Sequence, residues 1–265
     1  MSRYVIRGGR EGYDRLKVLA RAHWEATSAF LRSVQVRPGM RCLDLGCGGG
    51  DVSLELARIV GAEGSVVGID MDGVKLDLAR TDALERGLSN VEFRVQDVMS
   101  WNEPDAYDLV YSRFLLEHLS RPLDVLQKMW SAVRKGGALA VEVTDFSGLF
   151  CEPPNDGYEF NARVFPQTTA RYGGDASRGR KLYGLFLEAQ IPDPRLTLHQ
   201  RANSSGEAKR LALLTLEASV ESIVDGGLAT MAQVEAAIAD LRAFTDDPAT
   251  IVGSPRFFQV WASRA

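Results

Sequence analysis

The sequence LDLGCGGGD occupies residues 43–51 and joins a short β-rich run to a segment whose apolar residues have helical spacing. Glycine adopts positive φ at no steric cost and lets a ligand approach the backbone, so this kind of turn is typical of nucleotide-binding α/β proteins. A dinucleotide site requires a further glycine at position 51, where this chain has Asp51. Because a carboxylate there would repel a diphosphate, the sequence disfavours a dinucleotide.

The residues around this turn alternate short β-rich runs with longer runs of helical spacing. Such alternation predicts a parallel sheet with right-handed helical crossovers. Two further β-rich runs in the second half of the chain bring the expected fold to a doubly wound, mostly parallel α/β sheet of seven strands. The predicted strands are 42–45, 65–70, 91–96, 107–111, 138–144, 195–201 and 257–262, and the predicted helices of the core are 52–60, 74–86 and 122–133.

The segments outside this alternation are predicted to form a covering layer. One or two helices are expected over residues 11–35, and two more over 207–224 and 231–244, the last capped by Thr230. Prolines and glycines interrupt the rhythm over residues 145–181, which we interpret as an insertion. The expected division is 1–38 as an N-terminal helical lid, 39–144 as the ligand-binding core, and 145–265 as a substrate-lid insertion with the last strands of the same sheet.

Acidic residues mark the ends of the first three predicted strands. Asp70 ends the run VVGID, 20 positions after Gly50. A carboxylate at that place can accept hydrogen bonds from both hydroxyls of a ribose. Asp97 ends the run VEFRVQD, and Asp44 lies in the first strand. The three acids are therefore expected in one crevice at the carboxyl edge of the sheet.

The spacing of Asp44, Gly46, Gly48 and Gly50 resembles the acidic-x-Gly-x-Gly-x-Gly signature of class I S-adenosylmethionine-dependent methyltransferases. With the two later acids and the run YDLVYSRFLLEH, the resemblance covers residues 40–144. It is strongest to small-molecule enzymes akin to the ubiquinone and menaquinone C-methyltransferase group and to natural-product tailoring enzymes. The resemblance implies a Rossmann-like methyltransferase fold and S-adenosyl-L-methionine as the cofactor.

The resemblance also implies roles for residues of the crevice. Asp97 would accept a hydrogen bond from the adenine amino group, Val98 would pack on the ring, and the loop after the fourth strand would flank the methionine portion. Tyr4 and Tyr13 lie where related enzymes direct a hydroxyl to the cofactor's carboxylate, although an ordinary lid position explains them equally well. The candidate cofactor-binding residues are Asp44, Gly46, Cys47, Gly48, Gly50, Asp70, Met71, Asp97, Val98, Ser112, Arg113, Tyr4 and Tyr13.

Histidine is the first candidate for a general base because its pKa lies near neutrality. Methyl transfer from a sulfonium can also proceed by alignment alone, without a dedicated catalytic residue. His118 follows the fourth strand and His23 lies beside Trp24 in the first helix, so both are catalytic candidates. A loop-bracing role for His118 and a half-buried structural role for His23 are the alternatives, and His199 is interpreted as structural.

The insertion contributes two groups of side chains that suit an acceptor pocket. Its aromatic residues fit a flat or apolar molecule, or else form a small core of their own. Its arginines match carboxylates or phosphates, or else lie on a solvated surface. The aromatic residues are Phe146, Phe150, Tyr158, Phe160, Phe165 and Tyr172, and the arginines are Arg163, Arg171, Arg178 and Arg180.

Composition excludes several other classes of protein. The 31 basic and 35 acidic residues are well mixed and give a net charge of −4, so we expect no nucleic-acid partner. No apolar run approaches the roughly 18 residues needed to span a bilayer, and the N-terminus lacks a secretory apolar run, so we expect a cytoplasmic protein without a membrane partner. Three cysteines without a CxxC pair indicate neither a disulfide framework nor a metal site.

The sequence therefore predicts an S-adenosylmethionine-dependent methyltransferase acting on O, N or C of a small, aromatic or apolar metabolite, as a monomer or a homodimer. One alternative is a protein of the same fold that binds the cofactor without transferring methyl. The other is a nicotinamide oxidoreductase, which Asp51 and the lack of a Tyr-x-x-x-Lys pair after the fourth strand disfavour.

Overall fold

The computed structural model describes residues 8–265 and places a seven-stranded sheet at the centre of the protein. The spatial order is β3-β2-β1-β4-β5-β10-β7, with β10 antiparallel to both neighbours and the pairs from β3 to β5 parallel. The predicted fold class is confirmed. The strands are β1 Arg41–Leu45, β2 Ser65–Asp70, β3 Val91–Val95, β4 Tyr107–Arg113, β5 Val133–Asp145, β7 Arg195–His199 and β10 Arg256–Ser263.

Helices cover both faces of this sheet. Where one or two helices are expected at the N-terminus, the structure has one helix of 25 residues, α1 (Gly9–Ser33). It shares an apolar cluster with α2 (Asp51–Val60) and the β1 residue Cys42, whereas Leu43 and Leu45 pack on the opposite face. Strands buried on both faces read as near-continuous apolar runs, as β1 does. The other helices of the core are α3 Gly73–Glu85 and α4 Pro122–Ala132.

The strand β5 begins five residues before its predicted start. Val133 already pairs with Tyr107, and the register then shifts before Leu109 pairs with Ala138. Gly136, with φ of 82°, lies inside this irregular stretch. Glycine tolerates the positive φ that such a bulge requires, so the Lys-Gly-Gly run that suggests a helix stop is here part of the strand.

The second half of the chain adds a helical layer and a small sheet. The predicted helix over 207–224 is divided into a 3₁₀ turn, α7 and α8, and Ser219, which lies between α7 and α8, donates its Oγ to the Thr215 carbonyl at 2.8 Å. The cap predicted at Thr230 is present, and it forms a capping box with Gln233. The elements are α5 Asp156–Arg171, α6 Leu182–Glu188, α7 Leu211–Ala218, α8 Val220–Asp225, α9 Met231–Asp246, and the sheet β6 Phe150–Glu152, β9 Ile251–Gly253 and β8 Ala202–Asn203.

The helical layer has its own apolar core. α5, α7, α8 and α9 bury side chains together with Val252 of β9. This layer therefore forms a solid wall facing the carboxyl edge of the large sheet. Among residues 8–265, no helix is both long and apolar enough to cross a membrane.

Candidate cofactor and acceptor cavity

A cavity of about 650 Å³ lies between the carboxyl ends of the parallel strands and the helical layer. Open α/β sheets bind their ligands at this edge, outside the strand ends. Two helices present a stripe of side chains to it. The stripe of α1 consists of Gly12, Arg15, Leu16, Leu19 and His23, and that of α5 consists of Tyr158, Asn161, Phe165 and Thr169.

The glycine turn contributes its backbone to one end of the cavity. Gly46 and Gly48 line the wall with Cys47, and their φ values of 75° and 54° favour glycine. Gly50, with φ of 75°, lies behind the wall, where an added Cβ would come within 2.8 Å of the Phe93 ring. The turn therefore combines residues that face the cavity with one that allows close packing against β3.

The Asp70 carboxylate braces this turn. Its Oδ2 accepts a hydrogen bond from the Gly48 amide at 2.9 Å, and its Oδ1 accepts one from the Asp72 amide at 3.0 Å. Both Asp70 and its exposed neighbour Met71 line the cavity. Asp70 thus joins the ends of β1 and β2 at the place predicted for a ribose.

The other two strand-end acids differ in burial. Asp44 is 2% exposed, and burial raises its pKa to about 6, although Ser53 Oγ donates to it at 2.6 Å. Asp97 accepts a hydrogen bond from the Met99 amide at 2.8 Å, and both Asp97 and Val98 line the cavity. The three predicted acids therefore share one wall, as expected.

Two further candidates lie outside the cavity wall. Ser112 is fully buried and donates to the Leu45 carbonyl at 2.8 Å, so it joins β4 to β1. The Tyr13 hydroxyl donates to Asp82 at 2.6 Å. Tyr4 lies outside the residues that the structure describes.

Arg113, the last of the candidates after the fourth strand, does line the cavity. Its Nη1 donates to the Thr27 hydroxyl of α1 at 3.2 Å. Arg113 therefore connects the end of β4 to the helix that covers it.

The structure places two of the three histidines at the cavity. Burial, with help from the Arg113 charge, lowers the pKa of His23 to about 3, and its ring lies 4.3 Å from that of Phe257. Burial, with the cations Arg15 and Lys75, lowers the pKa of His118 to about 4. Both rings are therefore neutral at neutral pH. His199 lies in the edge strand β7 and does not line this cavity.

The aromatic residues of the insertion form much of the opposite wall. Phe146 stacks on Phe165 with ring centres 4.5 Å apart, and Tyr158 and Tyr172 join them at the cavity. Phe160 and Phe150 pack elsewhere in the helical layer and its sheet.

None of the four insertion arginines lines the cavity. Arg180 pairs with the buried Asp145 at 2.9 Å, and Arg163 lies over the Phe160 ring. Arg178 lies 3.8 Å from Asp175. These contacts give three of the four arginines structural partners within the insertion.

Sequence reasoning missed a buried acid in the wall. Glu117 is 3% exposed, and its Oε1 accepts hydrogen bonds from the Thr144 hydroxyl at 2.8 Å and from the Thr144 amide at 3.3 Å. Its position next to His118, in the loop after the fourth strand, was the available signal. Asn161 of α5 was also missed, and its Oδ1 has no hydrogen-bond partner among residues 8–265.

Comparison with known proteins identifies the family of this chain. A model of the methyltransferase domain family matches residues 37–169, half of the chain, and the protein therefore belongs to that family. Within residues 8–265 no cluster of three His, Cys, Asp or Glu side chains could hold a metal ion.

Among its relatives is the ubiquinone biosynthesis O-methyltransferase of Xanthomonas campestris pv. campestris. The two are 34% identical over 137 residues, which is 51% of this chain and 56% of the relative. The chain thus spans about half the length of the curated relatives that it matches first.

Two solved structures share the fold over most of this chain. The [4+2]-cyclase SpnF has a TM-score of 0.56 at 21% identity, covering 91% of this chain and 81% of its own. Coclaurine N-methyltransferase, bound to N-methylheliamine and S-adenosylhomocysteine, has a TM-score of 0.54 at 18% identity, covering 90% and 71%. At these identities the likeness establishes the fold alone.

Proposed function

We propose that this protein transfers the methyl group of S-adenosylmethionine to a small aromatic or apolar metabolite. The observation that carries the proposal is that a single cavity has two differently built walls. One wall consists of glycine backbone and strand-end carboxylates, and the other consists largely of aromatic rings. A polar nucleoside and an apolar acceptor can therefore lie side by side within the same enclosure.

The residues of the first wall fit this cofactor. A Cβ on Gly48 would come within 2.9 Å of the Leu16 side chain, so at this position the turn presents its backbone to the cavity. In the proposed arrangement Asp70 accepts hydrogen bonds from the ribose hydroxyls and Asp97 accepts one from the adenine amino group. Val98 packs against the adenine. When bound, the cofactor supplies an electrophilic methyl carbon on a good leaving group.

The protein's own contribution is alignment and exclusion of water. The side chains of the α1 and α5 stripes and of the loop after β4 all line the cavity. Holding the acceptor in line with the methyl carbon replaces a bimolecular encounter by a nearly unimolecular step. In this proposal residues 1–38 and 145–265 supply the lid together with the last strands of the sheet, and 39–144 supply the cofactor-binding core.

Calorimetry tests the proposed cofactor. We expect S-adenosylhomocysteine to bind and NAD not to compete with it, because Asp51 faces the place of a diphosphate. An acceptor panel of catechol, 2-phenylethylamine and 1,3-dihydroxynaphthalene, followed by mass spectrometry of S-adenosylhomocysteine, then tests the transfer. Binding of NAD in place of S-adenosylhomocysteine would overturn the proposal.

A second candidate function is a protein of this fold that binds the cofactor without transferring methyl. The likeness to SpnF supports this second candidate, because that structural neighbour is named a cyclase. Binding of S-adenosylhomocysteine together with persistent absence of methylated product across acceptor classes would favour this candidate.

We also propose that the enzyme acts in the cytoplasm, on the basis of its mixed, weakly acidic composition. A homodimer is the expected assembly if the exposed Leu196 and Leu198 of the edge strand β7 become covered. Sedimentation equilibrium measures this directly, and a monomer at high concentration would exclude it.

A further inference from the structure

Glu117 is a buried carboxylate at the boundary between the two walls of the cavity. It lies in the 3₁₀ turn that follows β4, and it lines the cavity. Leu115, two residues before Glu117, packs on the glycine turn, within 3.0 Å of the place where a Cβ on Gly46 would stand. Thr144, which binds Glu117, lies near the end of β5 and leads to the aromatic Phe146. Glu117 therefore lies where the donor and acceptor sides meet.

The Glu117 side chain is held firmly by one oxygen only. Thr144 satisfies Oε1 with two hydrogen bonds, whereas Oε2 has no hydrogen-bond partner among residues 8–265. The main chain is fixed as well, since the Asp175 amide donates to the Glu117 carbonyl at 2.7 Å. A buried polar atom without a partner is costly unless a ligand supplies one.

Its surroundings make Glu117 a stronger base than either of the two histidines at the cavity. Burial raises the pKa of Glu117 to about 7, although the nearby Arg178 charge favours the ionised form. The pKa values of His118 and His23 lie at about 4 and about 3, because both rings are buried and face cations. A proton released in the cavity at neutral pH is therefore taken up more readily by Glu117 than by either histidine.

The charged groups around this turn come from several elements. Arg178 and Asp175 belong to the segment after α5, and Asp175 is itself paired with Lys181 at 2.7 Å. Arg15 of α1 and Lys75 of α3 act on His118. Positive charges thus face the histidine from two helices, while Oε2 of Glu117 accepts no hydrogen bond from any of residues 8–265.

We propose that Glu117 is the base that receives the acceptor's proton, and that the acceptor accordingly carries an O–H or N–H at the atom that is methylated. This inference rests on the proposed function. The acceptor oxygen or nitrogen forms its bond to the methyl carbon while the sulfur–carbon bond breaks and sulfur keeps the electron pair. The acceptor's proton passes to Glu117, which becomes neutral. The unpartnered Oδ1 of Asn161 is a second acceptor for a donor group on the same molecule.

Proton release on ligand binding tests this placement without an acceptor. S-adenosylmethionine carries a positive sulfonium that S-adenosylhomocysteine lacks, and a positive charge beside Glu117 lowers its pKa. At pH 7 we expect the first compound to release up to about half a proton more than the second, measured by calorimetry in buffers of different ionisation enthalpy. Glu117→Gln abolishes the difference, whereas His118→Gln and the exposed control Glu152→Gln retain it.

The outcomes separate the inference from the proposed function. Equal proton release for the two compounds, or an unchanged difference in Glu117→Gln, overturns the placement of Glu117 beside the methyl group. Failure of both compounds to bind the wild-type protein overturns the proposed function itself. If Glu117→Gln does not fold, the side-chain carboxyl ¹³C signals of the wild type decide. One of them must titrate near pH 7 with S-adenosylhomocysteine and at lower pH with S-adenosylmethionine, and the absence of such a signal contradicts the inference.

Discussion

Asp51 shows how a single residue can change which nucleotide a glycine turn favours. It occupies the place of a glycine in the dinucleotide motif, and Lys17 of α1 donates to it at 2.8 Å. That lysine also binds Asp82 at 2.6 Å. The carboxylate that disfavours a diphosphate thus becomes an anchor for the helix covering the cavity. The sequence revealed the acid but could not show its partner, which lies 34 residues away.

At the same scale, Asp70→Asn should weaken binding of S-adenosylhomocysteine by about 1–3 kcal/mol, because the ribose hydroxyls would lose a charged acceptor. Isothermal calorimetry measures the change. Asp77→Asn is the matched control, since Asp77 is an exposed aspartate of α3 that pairs with Arg80. Equal affinities in Asp70→Asn and wild type would contradict the assignment of the β2 end to the ribose.

Gly50 and Gly87 allow steric crowding to be separated from backbone strain. Both have positive φ, 75° and 66°, and the hydrogen bonds at the end of α3 place Gly87 in a left-handed cap, but an added Cβ meets Phe93 and Ala79 only at Gly50. We expect Gly87→Ala to cost about 1–2 kcal/mol of unfolding free energy, the penalty of a left-handed residue with a Cβ. Gly50→Ala should cost clearly more in urea denaturation. Equal costs would show that Phe93 and Ala79 yield to the new methyl group.

At the scale of elements, the sequence predicted the strands of the large sheet better than the layer above it. The apolar runs around Leu43, Val67 and Val110 are long enough to identify β1, β2 and β4 without tertiary information. β6, β8 and β9 have two or three residues each. Cys151 of β6 pairs with Val252 of β9 across about 100 residues of chain, and Asn203 of β8 pairs with it across about 50. Strands this short show no alternation of apolar and polar residues in the sequence. They form because a neighbouring strand offers hydrogen-bond partners.

The helix α1 depends on Lys17 for its position. Burial opposes the charged form of Lys17, but Asp51 and Asp82 outweigh burial and raise its pKa. Burial likewise favours neutral Asp82, yet Lys17 and Tyr13 lower its pKa below the usual value. The cluster therefore stabilises the fold above the unfolded-state pKa of aspartate, about 3.9, and loses that effect as pH falls through the lowered folded-state value.

Lys17→Met should accordingly lower the unfolding free energy by about 1–3 kcal/mol at pH 7, since two partly buried carboxylates lose their cation. The difference from wild type should shrink as pH falls below about 4, where aspartate becomes neutral in the unfolded chain. Urea denaturation at several pH values measures this effect. Lys135→Met, at an exposed site, provides the control. A difference independent of pH would point to lost packing of the lysine stem.

At the scale of the whole molecule, the sequence identified the acids of one wall of the cavity and most of the aromatic residues of the other, but not the buried polar residues Glu117 and Asn161. The strand-end acids follow from the βα rhythm, which places Asp44, Asp70 and Asp97 at one edge. Glu117 and Asn161 could not be found in this way, because burial within a loop or a helix depends on the elements that pack over it. The sequence shows that Glu117 and Asn161 are polar, but only the packed structure shows that they are buried at the cavity.

Several elements of the fold line the cavity and others do not, so ligand binding should slow amide hydrogen exchange in some elements more than in others. With S-adenosylhomocysteine we expect slower amide hydrogen exchange in the glycine turn, in α1 and in the loop 114–119, all of which contain residues of the wall. α9 contributes no residue to the wall and should exchange at an unchanged rate. Mass-spectrometric exchange measures both regions in one experiment. Uniform protection throughout the chain would indicate global stabilisation instead.

The side-chain stripes of α1 and α5 also matter for protein engineering. They belong to segments that lie before and after the glycine turn and the strand-end acids in the chain. A combinatorial library at the α5 positions Tyr158, Phe165 and Thr169 would leave residues 41–97 untouched. Selection on such a library can therefore explore new acceptors while the donor side stays constant.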